Sequence, residues 1–307
     1  MVIIQNKSGG IRITVNYNKL NKSNTLGQLP ISRVDEVRDK LCTGRIFSLF
    51  DLVSSFLEIT VHEDTIPLTA FCTPARFFEW LVTPQGSSVS PGCFVKVINE
   101  VIKGLDRVAA YLDDVIVFEA DPSLHVANMK EFFLRLGKHN FKLSPSKAII
   151  GSTDADFLGH TISPASIMPN AQQVEVLMKM AAPEDLKPLR SLLGGRFYYR
   201  KCLGDMAKRI RTIISLLKQG VEFVFTPAME AIVQGILAEW STPPVLVYSN
   251  WDTVTNNSRP FLLYSDANAD GFGVIFEQEK DNHTIRPIVF ISRATIDSDR
   301  HWIALDL

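Results

Sequence analysis

The chain has 307 residues, a formal net charge of −1 at pH 7, and 46% hydrophobic and 21% charged residues, which is close to average globular usage. That length predicts two or three compact units, and no apolar run reaches the roughly 20 residues that a bilayer-spanning helix needs. The four scattered cysteines and six histidines fit no zinc spacing and argue against a disulfide framework, and the start lacks the basic flank of a signal peptide, so we expect an intracellular protein that contacts no membrane.

The first part of the chain alternates between strand and helix patterns. "GGIRITVNY" alternates like a strand after a Gly-Gly turn, whereas "ISRVDEVRDKL" has its apolar residues at helical spacing. The apolar run "GRIFSLFDL" predicts a buried strand that ends at Asp51.

A helix pattern and a pair of strands follow. "SPGCFVKVINEVIKGL" predicts a helix with a Pro-Gly start, and "RVAAYLDDVIVFE" predicts two short strands joined at residues 112–114. "LHVANMKEFFLRLGKHN" predicts a further helix, after which we expect a short strand at residues 141–143.

In the second half, the predicted secondary structure changes from strand to helix and then back to strand. "ADFLGHTIS" is typical of a strand or a tight hairpin, and residues 170–240 have helical periodicity. "TPPVLVYSNWDTVTNNSRP" predicts a Pro- and Asn-rich connection. "FLLYSDANADGFGVIFEQ" and "TIRPIVFISRA" then predict strands of a new sheet, in a last unit of about 50 residues, which is small for a domain with its own core.

One segment combines positive charge with aromatic residues. Residues 196–218 contain seven Lys or Arg, one acid, and an adjacent Phe-Tyr-Tyr run. Such a mixture suits a nucleic-acid strand. Alternatively the cations form the solvated face of a helix, since Lys208, Arg209 and Arg211 flank an apolar stripe.

Two adjacent carboxylates, Asp113 and Asp114, stand between apolar runs, where ionised groups are costly without compensation. Hard divalent cations such as Mg²⁺ prefer carboxylate oxygens, and Asp51 ends another apolar strand. If the two strands are neighbours, these aspartates can converge on two metal ions, and we expect the Asp51 and Asp113 carboxylates to lie within roughly 5 Å of each other. The alternative is a polar hairpin turn, because aspartate is common in turns.

The wider sequence resembles the reverse transcriptase region of gypsy-type long-terminal-repeat retrotransposons. "YLDD" with its apolar flanks resembles the active-site signature of reverse transcriptases, and the blocks around it resemble those of the gypsy type in the same order. The resemblance extends over essentially the whole chain and is carried by "GGIRITVNYNKLNK", "LPISRVDEVRDKL", "FSLFDLVSSFLEITVHEDTIPLTAF", "TPQGSSVSPGCF", "DFLGHTIS", "LRSLLGGRFYYRKCLGDMAKRI", "LYSDANADGFGVIF" and "SRATIDSDRHW".

This resemblance implies an α+β fold of the right-hand polymerase type. It assigns fingers and palm, with an antiparallel palm sheet, to residues 1–168, a helical thumb to 169–242, a connection to 243–258 and a truncated RNase H-like α/β domain to 259–307. It also implies an RNA-directed DNA polymerase that adds dNTPs to a primer 3′-hydroxyl on an RNA or DNA template. The implied cofactor is Mg²⁺, as two ions that Mn²⁺ can replace, and other segments of a retrotransposon polyprotein are implied partners.

The same resemblance assigns roles to single residues. Asp51, Asp113 and Asp114 match the metal-binding catalytic carboxylates of the palm, with Asp114 the less direct ligand. The RNase H remnant retains Asp266, which matches the first carboxylate of that domain; on local sequence alone it could equally end a strand in a turn.

Four further residues match substrate-binding positions. Lys7 and Arg12 match the fingers cations that hold the triphosphate, Phe56 the aromatic beneath the sugar, and Gln85 a residue near the nucleotide. Three of them have a plainer interpretation: Arg12 as an exposed strand cation, Phe56 as a core aromatic, and Gln85 as a polar loop residue.

Several positions depart from the family pattern. Asn16 and Asn18 replace the usual Asp and Arg, residues 53–56 and 89–91 differ from the expected runs, and the chain stops at "HWIALDL", before the second RNase H carboxylate. We therefore expect the RNase H part to be incomplete and inactive. The competing hypothesis for the whole chain is a catalytically dead retroelement fragment that binds nucleic acid through its basic segments.

Overall fold

The computed structural model describes residues 2–5, 11–23, 33–53, 55–164, 166–241, 246–268 and 271–295. The chain divides into two compact units, Met1–Ala155 and Asp156–Leu307. None of the helices in the described ranges is both long and apolar enough to cross a bilayer.

The first unit is a mixed α+β assembly. Its helices and strands are, in chain order, β1 (Val2–Gln5), β2 (Ile11–Thr14), α1 (Asn18–Ser23), α2 (Val34–Lys40), β3 (Ile46–Asp51), β4 (Phe71–Cys72), β5 (Phe77–Phe78), α3 (Ser90–Ile102), β6 (Val108–Tyr111), β7 (Asp114–Glu119), α4 (Pro122–Lys138) and β8 (Ile149–Ser152).

An antiparallel sheet with the strand order β6-β7-β3-β8 organises this unit. The central strand β7 is buried from Val115 to Glu119, as its apolar sequence predicts. Val115 and Val117 share one core with Phe50 of β3 and with Phe94 and Phe132 of α3 and α4. The two helices therefore cover one face of the sheet and fix its central strands.

A two-residue turn joins β6 to β7. Tyr111 and Asp114 are paired across the hairpin, which leaves Leu112 and Asp113 as the turn. Leu112 has φ of 51°, a backbone conformation that costs a leucine energy and that glycine adopts freely. The turn therefore holds strain directly beside the two aspartates of "YLDD".

A buried polar contact links α4 to β3 in the core. His125 and Ser48 are almost inaccessible to solvent, and His125 Nε2 lies 2.8 Å from Ser48 Oγ. The backbone N–H of Gly151 on β8 donates to the same Ser48 oxygen. Burial lowers the pKa of His125, and the negative charge of Glu119 opposes that shift only in part. The neutral imidazole is therefore the form that this core accommodates.

The second unit contains a helical part and two sheets. Its helices and strands are β9 (Ala155–Phe157), β10 (His160–Ser163), β11 (Ser166–Pro169), α5 (Ala171–Met178), α6 (Leu186–Tyr198), α7 (Met206–Arg209), α8 (Arg211–Ser215), α9 (Pro227–Ser241), β12 (Leu246–Val247), α10 (Trp251–Thr255), β13 (Phe261–Asn268), β14 (Gly271–Glu279) and β15 (Ile285–Ala294).

The helices of this unit bury a core of their own, centred on Leu189, Tyr199, Ile213 and Trp240. Beside it, β12-β11-β10-β9 form one sheet, and β13-β14-β15 form an antiparallel second sheet. The sequence patterns predicted the helical stretch, the β9–β10 hairpin and the strands of the second sheet, and all of these are present.

Two local expectations need correction. Residues 141–143 do not form a strand, because Leu143 makes only an isolated bridge to Leu52. The Pro- and Asn-rich connection contains β12 and α10, where a loop was expected. The buried side chain of Gln278 explains α10: its oxygen accepts from the backbone N–H of Asn250, and its amide donates to Thr253 Oγ1. These long-range hydrogen bonds are not visible in local sequence.

Lowering the pH should destabilise the protein through His125. Because its pKa is lowered in the folded state, the unfolded chain binds the proton more readily below the ordinary histidine pKa of about 6.5. The free energy of unfolding should therefore fall as the pH drops below about 6.5, by at most about 1.4 kcal/mol per pH unit. Urea unfolding between pH 5 and about 8 measures this slope.

A His125→Gln variant should show a shallower slope in that pH range. His139→Gln removes an exposed histidine beyond the end of the same helix and serves as the matched control. Equal slopes for the two variants would contradict the assignment to His125.

The strained turn predicts a ranking of two substitutions at Leu112. Leu112→Gly should leave the free energy of unfolding within about 1 kcal/mol, because relief of strain offsets the added flexibility of glycine. Leu112→Val should cost about 1–3 kcal/mol, since a β-branched residue tolerates positive φ worst. Thermal and urea unfolding provide the comparison, and a valine variant as stable as the glycine variant would show that this turn does not need positive φ.

Candidate active site

The pairing of β3 with β7 brings the predicted carboxylates together. Asp51, the last residue of β3, is paired with Asp114, the first residue of β7. The backbone N–H of Leu52 donates to the carbonyl of Asp113 over 2.9 Å, so the turn residue lies beside the same strand end. The aspartates from the two separate sequence blocks therefore meet at one end of the central strands.

A third segment closes this end of the sheet and adds a cation. Ser144 N–H donates to the Asp51 carbonyl over 2.9 Å, and a short 3₁₀ turn over Pro145–Lys147 follows. Lys147 Nζ lies 3.0 Å from Asp51 Oδ2. The Asp51 carboxylate, whose side chain is 29% exposed, is thus paired with an ammonium group.

The electrostatics of Asp114 reflect this crowding of charge. Its pKa is raised, first by desolvation and then by the negative charges of Asp51 and Asp113, while Lys147 acts in the opposite direction. Asp114 remains exposed as a residue, so its carboxylate is both accessible and destabilised in its ionised form. A bound cation would relieve that repulsion.

The carboxylates suit a hard divalent cation in their chemistry, since Mg²⁺ takes oxygen ligands from one or two carboxylates together with substrate phosphates. Within the described ranges, however, no three His, Cys, Asp or Glu side chains are arranged to hold a metal ion. The described residues therefore offer carboxylate ligands at one strand end, without a closed metal cage.

The predicted substrate-binding residues lie in different parts of the first unit, and one of them is outside the described residues. Lys7 lies outside the described residues. Arg12 is on β2, paired with Ile4 of β1. Phe56 is half-buried, and its ring centroid is 5.4 Å from that of Phe94, so its ring packs against the edge of the core beneath β3 and α3. Phe56 is therefore a packing aromatic at the core.

Gln85 lies in a turn that another segment anchors. The next residue, Gly86, has φ of 100°, and a Cβ there would approach the carbonyl of Val15 to 2.8 Å. Asn21 of α1 donates to the Gly86 carbonyl and accepts from the N–H of Ser88. Gln85 is half-buried beside this anchor. The loop before α3 is therefore held in place by glycine geometry and a distant asparagine.

Asp266 belongs to the second unit. It lies on β13 opposite Gly273, is exposed, and lines a small cavity with Asp205 and Lys208 of the helical part. Asp205 approaches Gly273 so closely that a Cβ there would lie 3.1 Å from its carboxylate oxygen. The cavity is therefore shared between the second sheet and the helices of the same unit.

Sequence reasoning missed Lys147 and Asn21 as parts of this site. Lys147 reaches Asp51 across 96 positions and Asn21 reaches Gly86 across 65. No local pattern marks contacts of this kind. Only the position of Lys147 in the sequence could have suggested this contact. Lys147 follows residues 141–143, which were predicted to be a strand and lie beside the end of β3 through the bridge of Leu143 to Leu52.

Comparisons with known proteins agree with this architecture. A family model described as reverse transcriptase (RNA-dependent DNA polymerase) matches residues 4–162, more than half of the chain. A second model, described as an RNase H-like domain found in reverse transcriptase, matches residues 256–307.

Curated relatives are transposon polyproteins. The retrovirus-related Pol polyprotein from transposon 297 of Drosophila melanogaster is 29% identical over 96% of this chain and 27% of the relative. The transposon Tf2-3 polyprotein of Schizosaccharomyces pombe is 26% identical over 99% of this chain and 23% of the relative. The chain thus spans about a quarter of the length of these relatives.

Solved structures with the same fold include foamy viral protease-reverse transcriptase. Its complex with double-stranded DNA matches with a TM-score of 0.86 at 19% identity, covering 99% of this chain and 52% of that one. Its complex with an RNA/DNA hybrid matches with a TM-score of 0.84, covering 40% of that chain. The expected α+β fold is confirmed, and the chain belongs to the reverse transcriptase family, with an RNase H-like segment at its end.

Proposed function

We propose that this chain is the RNA-directed DNA polymerase of a retrotransposon, which extends a primer 3′-hydroxyl with dNTPs on an RNA or DNA template. The observation that carries the proposal is the β3–β7 register, which sets Asp51 opposite Asp114 with Asp113 in the adjoining turn. In a chain of the reverse transcriptase family, this arrangement supports a catalytic role for the three aspartates.

Phosphoryl transfer requires positioned reactants and neutralised negative charge, with little covalent chemistry from the protein. Asp51 and Asp113 are proposed as the direct ligands of two Mg²⁺ ions, with Asp114 less direct. When bound, the metal supplies the positive charge that activates the hydroxyl and stabilises the departing phosphate, and Mn²⁺ can replace it. The raised pKa of Asp114, caused first by desolvation and then by the negative charges of Asp51 and Asp113, supports this role, because a bound cation would offset both.

The nucleotide would lie against the fingers side of the first unit. Lys7 and Arg12 are proposed to bind its triphosphate, since guanidinium groups bind phosphate through paired hydrogen bonds. Phe56 is proposed beneath the sugar and Gln85 near the nucleotide. The anchoring of the Gln85 turn by Asn21 supports this placement, because a fixed loop can hold a substrate in one orientation.

A primer–template duplex is the proposed macromolecular partner. The foamy viral structures named above contain double-stranded DNA or an RNA/DNA hybrid. In this chain, the exposed side chains of Tyr198 and Arg200 stand at the end of α6, among the basic residues of the helical part. Cations and aromatic rings together suit a nucleic-acid backbone and its bases.

The domain boundaries drawn from the sequence remain part of the proposal, with fingers and palm at 1–168, the thumb at 169–242 and the connection at 243–258. Asp266 is proposed as a carboxylate of the RNase H-like segment, which the family-model match to residues 256–307 supports. Other segments of a Pol polyprotein are proposed partners, because the curated relatives are about four times as long.

Primer extension tests the polymerase proposal. The purified chain should extend a primer on an RNA template with Mg²⁺ or Mn²⁺, and the Asp113→Asn, Asp114→Asn double variant should lose at least ~100-fold in rate, because charge stabilisation is the largest catalytic contribution. Asp106→Asn, at an exposed position before β6, is the matched control and should retain full activity.

Absence of extension by a folded chain would contradict the proposal. If that chain still bound the duplex in a salt-dependent way, the dead-fragment hypothesis would take its place.

A further inference from the structure

The carboxylate of Asp51 has a cation partner that the catalytic proposal does not use. Lys147 Nζ lies 3.0 Å from Asp51 Oδ2, one of the two oxygens that a metal ion could take. An ammonium group and a divalent cation cannot occupy the same side of one carboxylate oxygen, and their charges repel each other. A metal ion that binds Oδ2 of Asp51 on the side held by Lys147 must therefore displace the lysine.

The backbone that carries Lys147 is firmly attached to β3 and its extension. Val53 N–H donates to the Lys142 carbonyl and Ser144 N–H donates to the Asp51 carbonyl, both over 2.9 Å. Lys147 N–H then donates to the Ser144 carbonyl and closes the turn. The main chain therefore fixes the position from which the lysine reaches the carboxylate.

The side chain itself is free to move. It is 64% exposed, and its flexible four-carbon stem carries a compact point charge. An exposed ion pair of this kind is worth little in stability, so breaking it is easy. Lys147 can thus leave Asp51 without disturbing the turn that carries it.

We infer that Lys147 is the resident counter-ion of Asp51, that divalent metal displaces it, and that this competition sets the metal affinity of the site before substrate binds. The inference rests on the proposed function, since it takes Asp51 as a metal ligand.

The same segment supplies a matched control. Lys142 Nζ lies 3.2 Å from Glu58 Oε1, and its side chain is 65% exposed. Lys142 and Lys147 therefore share residue type, exposure and an acidic partner. They differ in whether that partner is one of the three aspartates.

The test measures Mn²⁺ binding to the purified chain without nucleic acid or dNTP. Binding is detected as the loss of the electron paramagnetic resonance signal of free Mn²⁺. Lys147→Met should tighten binding about three- to ten-fold, because it removes a positive charge next to the site. Lys147→Arg retains the charge and should bind as the unchanged chain does. Lys142→Met should also bind as the unchanged chain does, and circular dichroism and thermal melting verify that each variant is folded.

Asp51→Asn separates the two possible failures. If it weakens Mn²⁺ binding while Lys147→Met leaves binding unchanged or weaker, the counter-ion inference is overturned and the metal site stands. If Asp51→Asn binds Mn²⁺ like the unchanged chain, the proposed metal site fails, and the inference fails with it.

Discussion

The pairing register between β3 and β7 is the constraint on which the site depends. Side chains alternate between the two faces of a strand, so a slip of one residue would move every side chain of that strand to the opposite face of the sheet. Phe50 faces Val115 in this register, and both lie in the core with Phe94 and Phe132. The packing that buries these apolar residues thereby fixes Asp51 opposite Asp114. Hydrophobic burial thus sets the positions of the carboxylates.

The cost of that arrangement is an excess of negative charge. Three aspartates meet at the strand end, and the raised pKa of Asp114 reports their mutual repulsion and desolvation. Lys147 offsets part of it from an exposed position. Without bound metal, Lys147 neutralises only part of the negative charge of the aspartates. Divalent cations that bind together with a phosphate-bearing substrate would neutralise more of it. That property suits phosphoryl transfer, in which charge must be neutralised as the reaction proceeds.

The sequence predicted the parts of the fold that have strong local patterns. The apolar strand ending at Asp51, the "YLDD" hairpin and the long amphipathic helices are all present. The errors lie where distant groups decide local structure. Helix α10 has a local N-cap in Asn250 and is also held by the distant Gln278, and residues 141–143 run beside β3 but make only one bridge.

The residues of the candidate site also fall into those that sequence patterns predicted and those that they did not. The meeting of the three aspartates could be predicted because their strands are apolar and their motif is distinctive. Lys147 and Asn21 could not, because neither lies in a strand pattern or a motif that marks its distant partner. Phe56 is a third case: it packs against Phe94, and sequence alone does not separate this packing role from the proposed role beneath a sugar.

The central claim is that the aspartates at the end of β3 and β7 hold the catalytic metal ions. The most direct test is a crystal structure of the chain with primer–template, an incoming nucleotide and Mn²⁺, in which anomalous scattering locates the metal. We expect Mn²⁺ bound to Asp51 and Asp113, with the two carboxylates within roughly 5 Å and Lys147 Nζ displaced from Asp51. A well-ordered site with those carboxylates roughly 10 Å or more apart, too far for a shared pair of metals, or with Mn²⁺ bound elsewhere, would contradict it.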